Sequence, residues 1–144
     1  MTTTQRFHIP FLLPAFNELE AAARRTTRGK SNAYAELKYA TQANIVAVIN
    51  RTQPKLRPLL PGVSIAFTWF ERDRRRDPLD VRPACKFIVD ALCGADRDGD
   101  RQPRAGILHC DGWHCINPGG IHDAFAVTPG AVGVTVALYG TVRP

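Results

Sequence analysis

The sequence predicts a single α/β domain of the α+β kind, with a mixed sheet of about four or five strands and two main helices. Three observations carry that expectation. At 144 residues the chain can bury one core but is too short for two independent ones. Val63, Ile65, Phe67 and Trp69 alternate with Ser64, Ala66, Thr68 and Phe70, the period of a strand buried mainly on one face. Apolar residues recur at helical spacing in two other stretches, so the periods run strand, helix, strand, helix, strands.

Arg6 to Leu12 is a short apolar-rich run closed by Pro14 and reads as the first strand. The basic stretch from Arg24 to Lys30 reads as a connector. From Ser31 or Asn32, either able to cap a helix, Tyr34, Leu37, Ala40, Ile45, Val48 and Ile49 define the first helix, up to Asn50. Arg51 to Gly62 holds Pro54, Pro58 and Pro61, too many breakers for regular structure, and is a linker. The strand from Val63 then delivers the chain to Asp77.

A second helix is expected from about Val81 to Cys93, on the stripe Val81, Cys85, Ile88 and Leu92. Asp80 is its natural N-cap, and Pro83 is tolerated because it falls in the first turn. Gly94 to Gly106 is polar and rich in breakers, a solvated surface insert. Its Asp96, Asp98 and Asp100 imitate a calcium loop, but Arg101 and Ile107 stand where such a loop needs glycine and glutamate. Two hairpin-like strands, Ala124 to Val127 and Val132 to Tyr139, end the fold.

A formal charge of +6 and a pI near 9.5 give a surface that attracts polyanions, with affinity falling steeply as salt rises. Nucleic acid is the expected partner. A membrane is not, because the chain has no long apolar span, no basic amphipathic helix with a lipid-facing edge and no lipidation signal. The first residues lack the features of a secretory leader, so a cytoplasmic protein is expected. In that compartment Cys85, Cys93, Cys110 and Cys115 are expected as reduced thiols.

The chemistry concentrates in two segments. In the first, Arg72, Arg74, Arg75 and Arg76 stand beside Asp77 and Asp80. Guanidinium groups at that density suit phosphate oxygens, and neighbouring carboxylates suit a hard cation such as Mg²⁺. Phosphodiester chemistry needs both, although a charged turn after a strand has the same composition. The second segment is Ile107-Leu108-His109-Cys110-Asp111-Gly112-Trp113-His114-Cys115-Ile116. Its cysteines and histidines raise the question of zinc, but their spacing lacks paired knuckles, and His-Cys neighbours on an extended chain point to opposite faces. A thiol nucleophile with His109 or His114 as base lacks an oxyanion-hole motif. Asp111 is either the Asp-Gly of a turn or a third carboxylate brought to Asp77 and Asp80 by the fold.

Arg74-Arg75-Arg76-Asp77-Pro78-Leu79-Asp80, then Lys86-Phe87-Ile88-Val89-Asp90-Ala91-Leu92, then Asp111-Gly112-Trp113 resemble the RusA-like Holliday junction resolvases, especially their phage-borne branch. Phe16-Asn17-Glu18, Phe67 to Glu71 and Asp123 to Val127 extend the resemblance over nearly the whole chain outside the insert. It implies a small α/β homodimer in a bacterial cell or phage-infected host. Such an enzyme nicks opposite strands of a four-way DNA junction with Mg²⁺, or Mn²⁺ in its place. Two symmetric sites suit a two-fold symmetric substrate.

By the same resemblance Asp77, Asp80 and Asp111 hold the metal, Lys86 stabilises charge on the phosphate, and Arg28, Lys30, Arg74, Arg75 and Arg76 grip the DNA backbone. Two positions depart from the family. Leu79 stands where the second metal-binding aspartate belongs, leaving Asp80 to move into the role, and Cys110 replaces the acid that often precedes Asp111. A catalytically silent DNA-binding relative is therefore the alternative, and a zinc-stabilised nucleic-acid module is a third reading.

Overall fold

The computed structural model describes residues 2–27, 32–94 and 102–144. Its α+β architecture is the expected one. Four strands, β1 (Thr2–Ile9), β2 (Val63–Glu71), β3 (Ile116–Val127) and β4 (Gly133–Thr141), form one mixed sheet in the order β1-β4-β2-β3. The helices are α1 (Phe16–Thr27), α2 (Ala33–Arg51), α3 (Pro78–Val81) and α4 (Cys85–Leu92). None of the described helices is long and apolar enough to cross a membrane.

β2 follows its sequence pattern closely. Val63, Ile65, Phe67, Trp69 and Glu71 are buried, while the residues between them are half-exposed. α2 lays Ile45, Val48 and Ile49 into the same core, and α4 buries every residue from Phe87 to Leu92. β2 and β3 are parallel, so α3 and α4 lie in the crossover that joins them.

The final two strands do not form a hairpin. β4 pairs antiparallel with β1 on one side and with β2 on the other, while β3 takes the far edge beside β2. β4 is buried over most of its length, as a central strand must be, and an apolar strand of that kind gains more between two neighbours than at an edge.

The basic stretch from Arg24 is the end of a helix rather than a connector. Glu18 in the first turn and Arg24 and Arg25 in the last complement the helix dipole, and Arg24 meets Glu20 at 2.6 Å. Arg28 and Lys30 lie outside the described residues. The expected second helix is broken in three. Asp77, not Asp80, occupies the cap position, with Pro78 at the first helical residue, where its missing N–H is no loss. A tight 3₁₀ turn, Arg82–Ala84, accommodates Pro83 before α4 begins.

The end of the insert is not simply solvated. The Ala105, Gly106 and Ile107 amides donate to the Ala91, Cys93 and Leu92 carbonyls at 2.7, 3.1 and 2.8 Å. These bonds satisfy carbonyls that the end of α4 leaves open. Residues 95–101 lie outside the described residues.

Candidate functional site

The chain leaves β2 through a bend that presents Arg72, Arg74 and Arg75 to solvent. The Arg75 amide donates to Asp73 Oδ1 at 3.0 Å, and the guanidinium of Arg75 is 89% exposed, only loosely held 3.5 Å from Asp73 Oδ2. These side chains are exposed. Arg76 is not. Its Nη2 donates to the Leu13 carbonyl at 2.7 Å, and its Nε lies 3.0 Å from Glu71 Oε1, an ion-pair approach at an angle poor for a hydrogen bond. Arg76 fastens the end of β2 to the segment after β1. Burial raises the Glu71 carboxyl above the ordinary range, and the nearby Arg76 charge opposes that rise.

Below the bend lies a hollow of about 470 Å³, with Arg74, Asp77, Trp69 and Phe125 in its walls. Asp111 is not there. It lines two other depressions, one with Trp113 and Asn117, the other with Lys86, Asp90, Lys38 and Arg104. Lys86 Nζ donates to Asp111 Oδ2 at 2.6 Å and to Asp90 Oδ1 at 3.0 Å, while Lys38 reaches the other oxygen of Asp90 at 3.2 Å. Partial burial works against the Lys86 charge, but hydrogen bonds to Asp111 and Asp90 outweigh it and raise its pKa.

Of the four residues expected to form the catalytic centre, Lys86 and Asp111 therefore meet, and Asp77 and Asp80 do not join them. Asp77 is exposed at the cap of α3, and Asp80 is half-exposed in that helix's only turn. Leu79, between them, is 79% exposed and brings no ligand. Among the described residues the one trio of His, Cys, Asp or Glu with donor atoms all within 4.8 Å of one another is Cys110, His114 and Cys115. Asp77, Asp80 and Asp111 do not form such a trio, so the Mg²⁺ ligands that the resemblance implies are not drawn together around one point.

Two participants in this region do not stand out in the sequence as site residues. Asp90, on the buried face of α4, organises Lys38 and Lys86, and its spacing four residues after Lys86 is the signal that points to it. Asp123 on β3 accepts from Trp69 Nε1 at 2.8 Å and from Arg82 Nε at 2.7 Å. Only the register of β3 against β2 reveals that contact.

The segment from Cys110 to Cys115 is a turn, not an extended strand. The Cys115 and Ile116 amides both donate to the Gly112 carbonyl at 3.0 Å. Folding back brings the Cys110 and Cys115 Cα atoms to 5.6 Å, and their sulfurs are joined as a disulfide where free thiols were expected. Cys85 and Cys93 are free. Burial, with the charges of Asp111 and Asp90 adding to it, pushes the Cys93 thiol up to about 12. Comparison of the chain with protein-family models, curated proteins and solved structures found no match.

Proposed function

We propose that this chain binds branched DNA, four-way junctions above all, as a RusA-like homodimer of the cytoplasm that grips phosphates and does not depend on a bound metal. The observation that carries the proposal is the bend after β2, where Arg72, Arg74 and Arg75 all face solvent on a chain of net charge +6. Such contacts position a duplex without reading its sequence. Binding without cleavage is favoured over nicking by the charge already set against Asp111. Lys86 stands at 2.6 Å, where a metal-dependent nuclease needs a cation. Leu79 and Cys110 remove two further carboxylates from the pattern.

Mg²⁺-dependent nicking is the second reading, supported by the meeting of Lys86 with Asp111, which the resemblance pairs in one site. In that reading Asp77, Asp80 and Asp111 would hold the ion, which would supply an activated water, and Lys86 would stabilise charge on the phosphate. Incubating the purified protein with a synthetic four-way junction, in chelator and then in Mg²⁺ or Mn²⁺, separates the two. The proposal expects a retarded complex under all conditions and intact strands. Paired nicks that vanish in Asp77→Asn and Asp111→Asn transfer the case to the nuclease.

A further inference from the structure

We infer that Cys110, His114 and Cys115 form a binding site for a thiophilic divalent cation, Zn²⁺ foremost, which opens when the Cys110–Cys115 disulfide is reduced. The inference rests on this turn alone and not on the DNA-binding reading. Cys110 Sγ lies 3.6 Å from His114 Nε2. Zinc bonds of about 2.3 Å to sulfur and about 2.0 Å to nitrogen set two tetrahedral ligands roughly 3.5–3.8 Å apart. The Cys110–His114 edge of the site thus already has the length a zinc ion requires, the third donor lies within 4.8 Å of both, and the two sulfurs have to separate.

The backbone is arranged for that change. Cys115 is buried and anchored, because its carbonyl accepts from the Gly62 and Val63 amides at 2.8 and 2.9 Å, fixing it to the start of β2. Cys110 is half-buried on the outer side of the turn, where the Gly112 amide points at its sulfur at 3.4 Å. An N–H aimed at sulfur favours the thiolate that a metal binds. His114 is exposed, which leaves the fourth coordination position to water. Two sulfurs and an imidazole select zinc and its soft neighbours over Mg²⁺.

The two states exclude each other, since a sulfur in the disulfide is not a thiolate ligand. A phosphine reductant delivers two electrons to the disulfide and becomes the phosphine oxide with oxygen from water, and the sulfurs take up two protons. Binding of one Zn²⁺ then releases those two protons. Asp111 and the 84% exposed Trp113 lie inside the loop that the two cysteines close.

The test uses the full chain, reduced with a phosphine under anaerobic conditions and titrated with Co²⁺ as a coloured probe. The inference expects one ion per chain, with thiolate-to-cobalt absorption that Zn²⁺ abolishes. Affinity should drop at least tenfold in Cys110→Ser and in His114→Ala, and the unreduced chain should show no such absorption. Cys85→Ser, which touches none of the ligands, should behave as the wild type. Circular dichroism of Cys110→Ser confirms that the variant is folded. Equal absorption in Cys110→Ser, or none in the reduced wild type, overturns the inference whatever the junction experiment shows.

Discussion

Removing the Arg76 side chain separates two roles that the run of arginines conceals. Arg76→Ala leaves Glu71, 11% exposed at its side chain, without its cation, and leaves the Leu13 carbonyl without its donor. Breaking a buried pair by deleting one partner costs about 3–5 kcal/mol. For a chain of this size each kcal/mol lowers the melting temperature by roughly 2–4 °C, so a drop of about 6–20 °C is expected. The measurement is thermal unfolding followed by circular dichroism. Because the fault lies in the unpaired Glu71, Glu71→Leu together with Arg76→Leu should recover most of the loss.

The pH dependence of that variant has a definite sign. Burial already raises the Glu71 carboxyl above its ordinary 4.5, so the unfolded chain releases this proton first and the folded state loses stability as pH rises from there. Without Arg76 to oppose it the rise is larger. The penalty of Arg76→Ala must therefore be smaller in acid than at neutral pH. A melting temperature within about 2 °C of wild type at neutral pH, or a penalty that grows in acid, refutes the reasoning.

Three further outcomes are expected. Gln42 is fully buried and its amide has no hydrogen-bond partner among the described residues, so Gln42→Met should stabilise the fold by about 1–2 kcal/mol, read from the denaturant midpoint. Lys86 has a raised pKa, so its contribution to stability is complete below the ordinary 10.5 and is lost as pH climbs through the higher folded value. Alkaline titration of Lys86→Met should lack that part of the transition. With the Cys93 thiol pushed up to about 12 and Cys85 also raised by burial, iodoacetamide at neutral pH should modify Cys110 of the reduced native protein well before either.

Much of the fold is legible in the sequence because periodicity reports burial directly. The alternation through β2 and the helical spacing from Tyr34 to Ile49 place both elements to within a residue or two. α1 is hidden because its charges read as a loop, although Glu20 and Arg24 are spaced to pair on a helix. The expected hairpin fails for a different reason. Sequence neighbours usually pair, but the choice of partner for β4 is settled by the whole sheet, where it fills the gap between β1 and β2.

The site is legible only in its local parts. The arginine bend is visible in the sequence, but Arg76 is set apart from Arg74 and Arg75 by its bonds to Leu13 and Glu71, which no spacing rule contains. Lys86 and Asp111 stand out in separate segments and meet across 25 residues, whereas Asp77 and Asp111 were expected together and line different depressions. The cysteine segment reads as an extended chain in the sequence, and it is the Gly112 turn that brings its donors together.

The central claim is that phosphate contacts from the bend after β2 carry the binding. Its most direct measurement is the salt dependence of four-way-junction affinity, compared between the wild type and Arg72→Ala/Arg74→Ala/Arg75→Ala. Every phosphate that the protein ceases to neutralise flattens the plot of log K against log salt by about 0.9, so the triple variant should shed up to roughly 2.7 units of slope per bound protomer while keeping its fold. A triple variant with wild-type affinity and slope contradicts the account.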